Sequence, residues 1–71
     1  MLHLRCEVAG RVARIEARTG AHVSADEPLL LIECMKMEIP LHAPVAGWLE
    51  ALHVAEGDQV EEGQHVATLR T

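Results

Sequence analysis

Val8-Ala9-Gly10-Arg11-Val12-Ala13-Arg14-Ile15 and Val45-Ala46-Gly47-Trp48-Leu49-Glu50-Ala51-Leu52 stand 37 positions apart and share one pattern. Val-Ala-Gly recurs outright, and Val12 and Ile15 fall on Leu49 and Leu52. The register continues without a gap. Gly20 meets Gly57, Val23 meets Val60, Leu29 meets Val66 and Ile32 meets Leu69. Two copies are too few for a solenoid, which needs at least three repeats. Halves of about 35 residues are too small to hold a core alone. They must pack on each other as one domain, residues 1–71, about a pseudo-twofold axis.

Outward from these stretches, short Val-, Ile- and Leu-rich runs alternate with turn signals. Strands are expected over 8–17, 28–34, 38–42, 46–54 and 64–70. Turns are expected at Arg18-Thr19-Gly20, Ala43-Pro44, Glu56-Gly57-Asp58 and Glu62-Gly63. Turn signals every 8 to 12 residues, with no helix-length pattern, argue an all-β domain. Strict alternation fails at the same place in each half, because Val12 and Ile15, like Leu49 and Leu52, are three apart. A β-bulge or a strand bend there would turn both residues of each pair inward. The shared slip predicts a strand that turns a corner between two sheets. Pro28, Pro40 and Pro44 cannot donate to a ladder and belong at strand starts, edges or bends.

Composition narrows the function. The chain is 49% hydrophobic and 24% charged, as a folded domain should be. Trp48 is the only aromatic residue, so the core must come from Val, Leu, Ile, Ala and Met, with Trp48 expected to pack against the barrel and an exposed docking role as the alternative. The net charge of −5 and the lack of aromatics argue against nucleic-acid binding. Acidic residues gather near the turns, at Asp26-Glu27, Glu56, Asp58 and Glu61-Glu62, and are expected to form a solvated rim. No apolar run is long enough to cross a membrane as a helix, and the first residues do not read as a secretory signal. A cytoplasmic location and no membrane partner are the expectations. Cys6 and Cys34 are too few for a disulfide scaffold, though a bridge between them stays open. His3, His22, His42, His53 and His65 lack the close paired spacing of a zinc motif, so no metal site is expected. No Gly-rich phosphate loop or nucleophile motif appears, so no catalytic residue is assigned.

The repeat does not cover Glu33-Cys34-Met35-Lys36-Met37-Glu38, at the centre of the chain. Strands flank it on both sides, so it should be a tight hairpin. Such turns favour pairs like Asn-Gly that tolerate positive φ. Here they hold Met and Lys, and places where local rules fail are often functional sites.

With this tripeptide at its midpoint, the chain resembles the biotinyl/lipoyl attachment domains. The likeness extends from about Val8 to Leu69. It includes Ala43-Pro44-x-x-Gly47, Gly57-Asp58, Val60 and Gly63. The resemblance implies a flattened barrel-sandwich hybrid of two small sheets, with the modified lysine on an exposed hairpin. It implies a non-catalytic biotin carboxyl carrier. Lys36 would be the covalent acceptor of biotin, with Met35 and Met37 as recognition flanks for a biotin protein ligase. The implied partners are a biotin carboxylase and a carboxyltransferase, most commonly of an acyl-CoA carboxylase in fatty acid metabolism. The isolated domain is expected to be a monomer. Lipoate on Lys36 is the nearest alternative, although lipoyl domains usually place Asp before the lysine and Ala after it. An unmodified adaptor of the same fold, as in some membrane-fusion proteins, is the other, and those lack the Met-Lys-Met tip. Cys34 departs from the family's usual Ala or Ser. No insertion corresponds to the protruding thumb of some acetyl-CoA carboxylase carriers.

Overall fold

The computed structural model describes residues 1–71. Eight strands follow in chain order: β1 (Leu2–Arg5), β2 (Gly10–Ile15), β3 (His22–Val23), β4 (Pro28–Cys34), β5 (Met37–His42), β6 (Gly47–Leu52), β7 (Gln59–Val60) and β8 (His65–Arg70). They form two antiparallel sheets of four strands, ordered β1-β8-β6-β3 and β5-β4-β2-β7. The chain is elongated, 32 × 17 × 17 Å.

The sequence repeat is the symmetry of the fold. A shift of 37 positions carries β2 onto β6, β3 onto β7, β4 onto β8 and β1 onto the end of β5, and so exchanges the sheets. Each sheet contains strands from both halves. The chain consequently changes sheet at every connection but one, the hairpin between β4 and β5.

The core obeys the same exchange. Leu29, Leu49, Leu69 and Val23 lie in one apolar cluster. Their repeat partners Val66, Val12, Ile32 and Val60 lie in the other. Leu41 and Leu52 touch both clusters. Only 17 residues are buried, so the core is thin, as a chain this short requires.

Gly10 and Gly47 mark the closest backbone approach. A Cβ on Gly10 would collide with the Glu33 carbonyl oxygen, and one on Gly47 would meet the Arg70 carbonyl oxygen at 2.6 Å. Glu33 and Arg70 are themselves repeat partners. Only glycine allows the two strands to pack this tightly.

The turns are fastened by side chains. Glu27 Oε1 accepts from the Ser24 N–H at 3.0 Å, and its repeat partner Gln64 accepts from the Glu61 N–H at 2.9 Å. Asp58 accepts from the Ala55 N–H and Glu56 from the Ile15 N–H, each at 2.9 Å. Part of the acidic rim is therefore turn structure as well as solvated charge.

Three expectations change. The register shifts fall where alternation fails, between Val12 and Arg14 in β2 and between Leu49 and Ala51 in β6. However, β2 and β6 each stay in one sheet, and the loops make the crossings. The bulges adjust side-chain direction without moving a strand between sheets. Second, β1, β3 and β7 join the sheets although no strand was expected there. Two residues carry too little pattern to announce a strand, and β1 is held by pairing with β8, more than sixty positions away. Third, Trp48 is not closely packed against the barrel and takes the exposed alternative. It is 41% exposed on the outer side of its sheet, edge-on to His22, with the Arg70 guanidinium 5.0 Å from its ring centre.

The glycine contacts give a stability test. Gly10→Ala and Gly47→Ala should each destabilise the fold by about 1–3 kcal/mol, the usual cost of overpacking. Chemical denaturation midpoints check this, and unchanged midpoints would contradict the close approach.

Candidate functional site

The β4–β5 hairpin is the only pairing between strands consecutive in the chain. Cys34 pairs with Met37, leaving Met35 and Lys36 as a two-residue turn. Both have positive φ, 52° and 66°, the pattern of a type I′ turn. Asn-Gly is the favoured pair there because a Cβ crowds the backbone in left-handed geometry. The expectation of a tight hairpin is met, and its sequence is strained for that role.

The tip is open. Met35 is 90% exposed and Met37 64%, whereas methionine ordinarily fills core gaps. Lys36 is exposed between them and makes no salt bridge. Its amine is unencumbered by a carboxylate. Behind it, Arg11 Nη2 meets Glu33 Oε1 at 3.1 Å, joining β2 to β4 below the turn. Both side chains are about half exposed, so the pair adds little stability. An open groove lined by Gly10, Arg11, Glu33, Cys34 and Gln59 runs beside Met35 and Lys36.

The more enclosed hollow, of about 160 Å³, lies among Cys6, Ile32, Ile39, Pro40 and Leu41 and does not include Lys36. It is smaller than the ~300–1,000 Å³ usual for small-molecule pockets. Cys6 and Cys34 are both free, so the bridge left open by sequence does not form. Cys6 is buried, and desolvation pushes its thiol above the ordinary value of 9.0. Cys34 is partly exposed, two residues from Lys36.

Sequence spacing dispersed the histidines, but the fold does not. His3, His53 and His65 come together on the first sheet, with ring centres 4.8 Å apart for His3 and His65 and 4.3 Å for His53 and His65. No local motif could have announced this, because strands distant in sequence bring the rings together.

The fold and hairpin together define a class: a small two-sheet domain of two like halves that presents one lysine on a strained turn. Residues 5–69 match the family described as biotin-requiring enzyme. The chain belongs to this biotinyl/lipoyl attachment family, whose domains are carriers and not catalysts. It is 33% identical over 66 residues to a biotinylated protein, the TB7.3 homolog of Mycobacterium leprae, covering 93% of each chain. It is 35% identical over 60 residues to the biotin carboxyl carrier protein of Streptococcus mutans, covering 84% of this chain and 46% of that one. Among solved structures, the urea carboxylase of Kluyveromyces lactis superposes with a TM-score of 0.92 at 33% identity. That match takes in 97% of this chain and 6% of the enzyme. The chain thus spans under half of the carrier protein and a small part of the carboxylase.

Two measurements probe the site. Replacing Met35-Lys36 with Asn-Gly should relieve left-handed strain and stabilise the fold by about 1–2 kcal/mol. A lower denaturation midpoint for that double variant would show that the native pair is not strained. In native protein at pH 8, a thiol reagent should modify Cys34 at least about tenfold faster than Cys6, because burial withholds both access and thiolate. The raised Cys6 value also sets a sign. Folded protein retains the thiol proton where unfolded chain gives it up, so stability held below pH 9.0 should fall as pH rises past it. Equal labelling rates would contradict the burial of Cys6.

Proposed function

We propose that Lys36 carries covalent biotin and that the domain is a biotin carboxyl carrier. The observation that carries the reading is the exposed Lys36 amine, between two exposed methionines, at the one hairpin the repeat does not duplicate. A biotin protein ligase supplies biotinyl adenylate, with Met35 and Met37 as its recognition flanks. The neutral Lys36 Nζ attacks the acyl carbon of that mixed anhydride. An amide C–N bond forms, the acyl C–O bond breaks, AMP leaves and the nitrogen loses a proton. Alkylamines are mostly protonated at neutral pH, so the activated acyl donor and the ligase site must supply the reactivity.

Attached biotin supplies a ring nitrogen that takes up carboxylate at a biotin carboxylase and yields it at a carboxyltransferase. This chain's part is to hold the arm outward on a rigid sheet. Tethering keeps the group at high effective concentration between the two active sites. The acceptor is most commonly an acyl-CoA in this family, and the partner carboxyltransferase selects it. The groove beside the hairpin and the free amine fit a tethered arm better than an enclosed cofactor. The domain works as a monomer on its partners.

Incubation with a biotin protein ligase, ATP and biotin tests the attachment. Intact mass should rise by one biotinyl group, mapped to the peptide containing Lys36. Lys36→Arg should abolish the labelling while leaving the fold intact, because Lys36 is the only lysine of the chain. A biotinyl group on the Lys36→Arg protein would falsify the assignment. A lipoyl increment from a lipoate ligase, with none from the biotin ligase, would move the function to acyl transfer.

A further inference from the structure

The histidine cluster on the first sheet is independent of the hairpin. His3 lies on β1, His65 on β8 and His53 just beyond β6, so the strand order β1-β8-β6 sets three imidazoles side by side. A bulge helps. Leu4 pairs with Ala67 but Arg5 with His65, leaving Val66 as the extra residue. Val66 and Ala67 both turn into the core, fully buried, and His65 remains on the outer side with Thr68. Thr68 lies beneath the rings and is the only buried polar residue of the chain.

The polar atoms converge. His3 Nδ1 is 3.3 Å from His65 Nε2. His53 Nε2 and His65 Nε2 lie 3.1 and 3.0 Å from Thr68 Oγ1. His65 Nε2 is also 2.9 Å from the Ala67 carbonyl oxygen, which can only accept, so this nitrogen carries hydrogen. His3 Nδ1 then faces it with a lone pair. The Thr68 hydroxyl both donates and accepts, so His53 Nε2 is free to take the tautomer that presents a lone pair. A lone pair on His3 Nδ1, a His65 Nε2 whose hydrogen can move to its other ring nitrogen, and a His53 Nε2 on the same threonine hydroxyl lie close together. Lone-pair imidazole nitrogens are the commonest metal ligands in proteins.

We propose that His3, His53 and His65 form a binding site for a divalent transition ion of the Zn²⁺ type. With Zn–N bonds of about 2.0–2.1 Å, two ligands of a tetrahedral ion lie roughly 3.3–3.4 Å apart. His3 Nδ1 and His65 Nε2 are already 3.3 Å apart and form the first pincer. No three side chains yet enclose a common point, so His53 closes the site by turning its ring from Thr68 toward the ion. Solvent fills the fourth position. His65 Nε2 releases the Ala67 carbonyl as its hydrogen moves to Nδ1. Arg5, on the same side of β1 as His3, does not oppose the ion directly, because its guanidinium donates to the Gly63 carbonyl at 2.9 Å. The repeat does not explain the cluster: the positions matching His3, His65, Thr68 and His53 in the other sheet hold Pro40, Pro28, Leu31 and Glu16. A bound ion would clip the four-residue edge strand β1 to β8 and to the end of β6, a structural role on the sheet that does not contain the hairpin.

Titration of chelator-treated full-length protein with Zn²⁺ tests this by imidazole NMR and thermal melting. One equivalent should shift the rings of His3, His53 and His65, leave His22 and His42 in place, and raise the melting temperature. Mg²⁺ should do neither, because imidazole suits borderline transition ions. His3→Ala and His65→Ala should each weaken binding by at least about 10- to 100-fold, whereas His22→Ala and His42→Ala should not. Circular dichroism verifies that each variant stays folded. Undiminished affinity in folded His3→Ala and His65→Ala proteins, shifts centred on the acidic turns, or no ring shifts at one equivalent would overturn the site.

Discussion

Neither half of this chain can bury its apolar face alone, and the interleaving of the two sheets follows from that constraint. Each half sends strands into both sheets, so the core exists only where the halves interleave. Leu29 and Val66, or Val12 and Leu49, occupy matching places in two clusters joined through Leu41 and Leu52. This interleaving requires the close backbone approach at Gly10 and Gly47, where no side chain fits. Folding must therefore form pairings distant in sequence, such as β1 with β8, before most apolar surface is buried.

The β4–β5 hairpin escapes that constraint, being local and outside the interleaved pattern. Its turn holds two left-handed residues that are not glycine, in a chain where Gly20, Gly57 and Gly63 take positive φ elsewhere. Gly63 corresponds to Asp26, which also has positive φ, and the two make matching bonds: the Asp26 N–H donates to the Ala43 carbonyl at 2.7 Å and the Gly63 N–H to the Cys6 carbonyl at 2.8 Å. Strain at a tip, with exposed methionines and an unpaired lysine, is the form a presentation site takes when stability is not what the turn serves.

Outside the hairpin, the two sheets are equivalent in backbone but not in chemistry. The outer side of β1-β8-β6-β3 carries Trp48, Arg70 and four of the five histidines, His42 being on β5. Matching positions of the other sheet include Pro28, Leu31 and Pro40. Duplication accounts for the core and the turns. It leaves the outer surfaces free to diverge, because solvent-facing residues are bound by no packing demand.

The sequence by itself determined the all-β class, the two halves, the bulge positions and the hairpin with Lys36 at its tip. Each rests on local pattern: alternation, turn residues and a repeat in one register. Strands β4, β5, β6 and β8 were legible to within two residues because their apolar runs are long. Strands β1, β3 and β7 were not, because their partners and not their composition make them strands. Only the tertiary structure decided that the bulged strands stay within their sheets, that Trp48 faces outward, and that His3, His53 and His65 meet. Those outcomes depend on which strands lie side by side, and strand order in an interleaved sandwich is set by long-range pairing that no local spacing records.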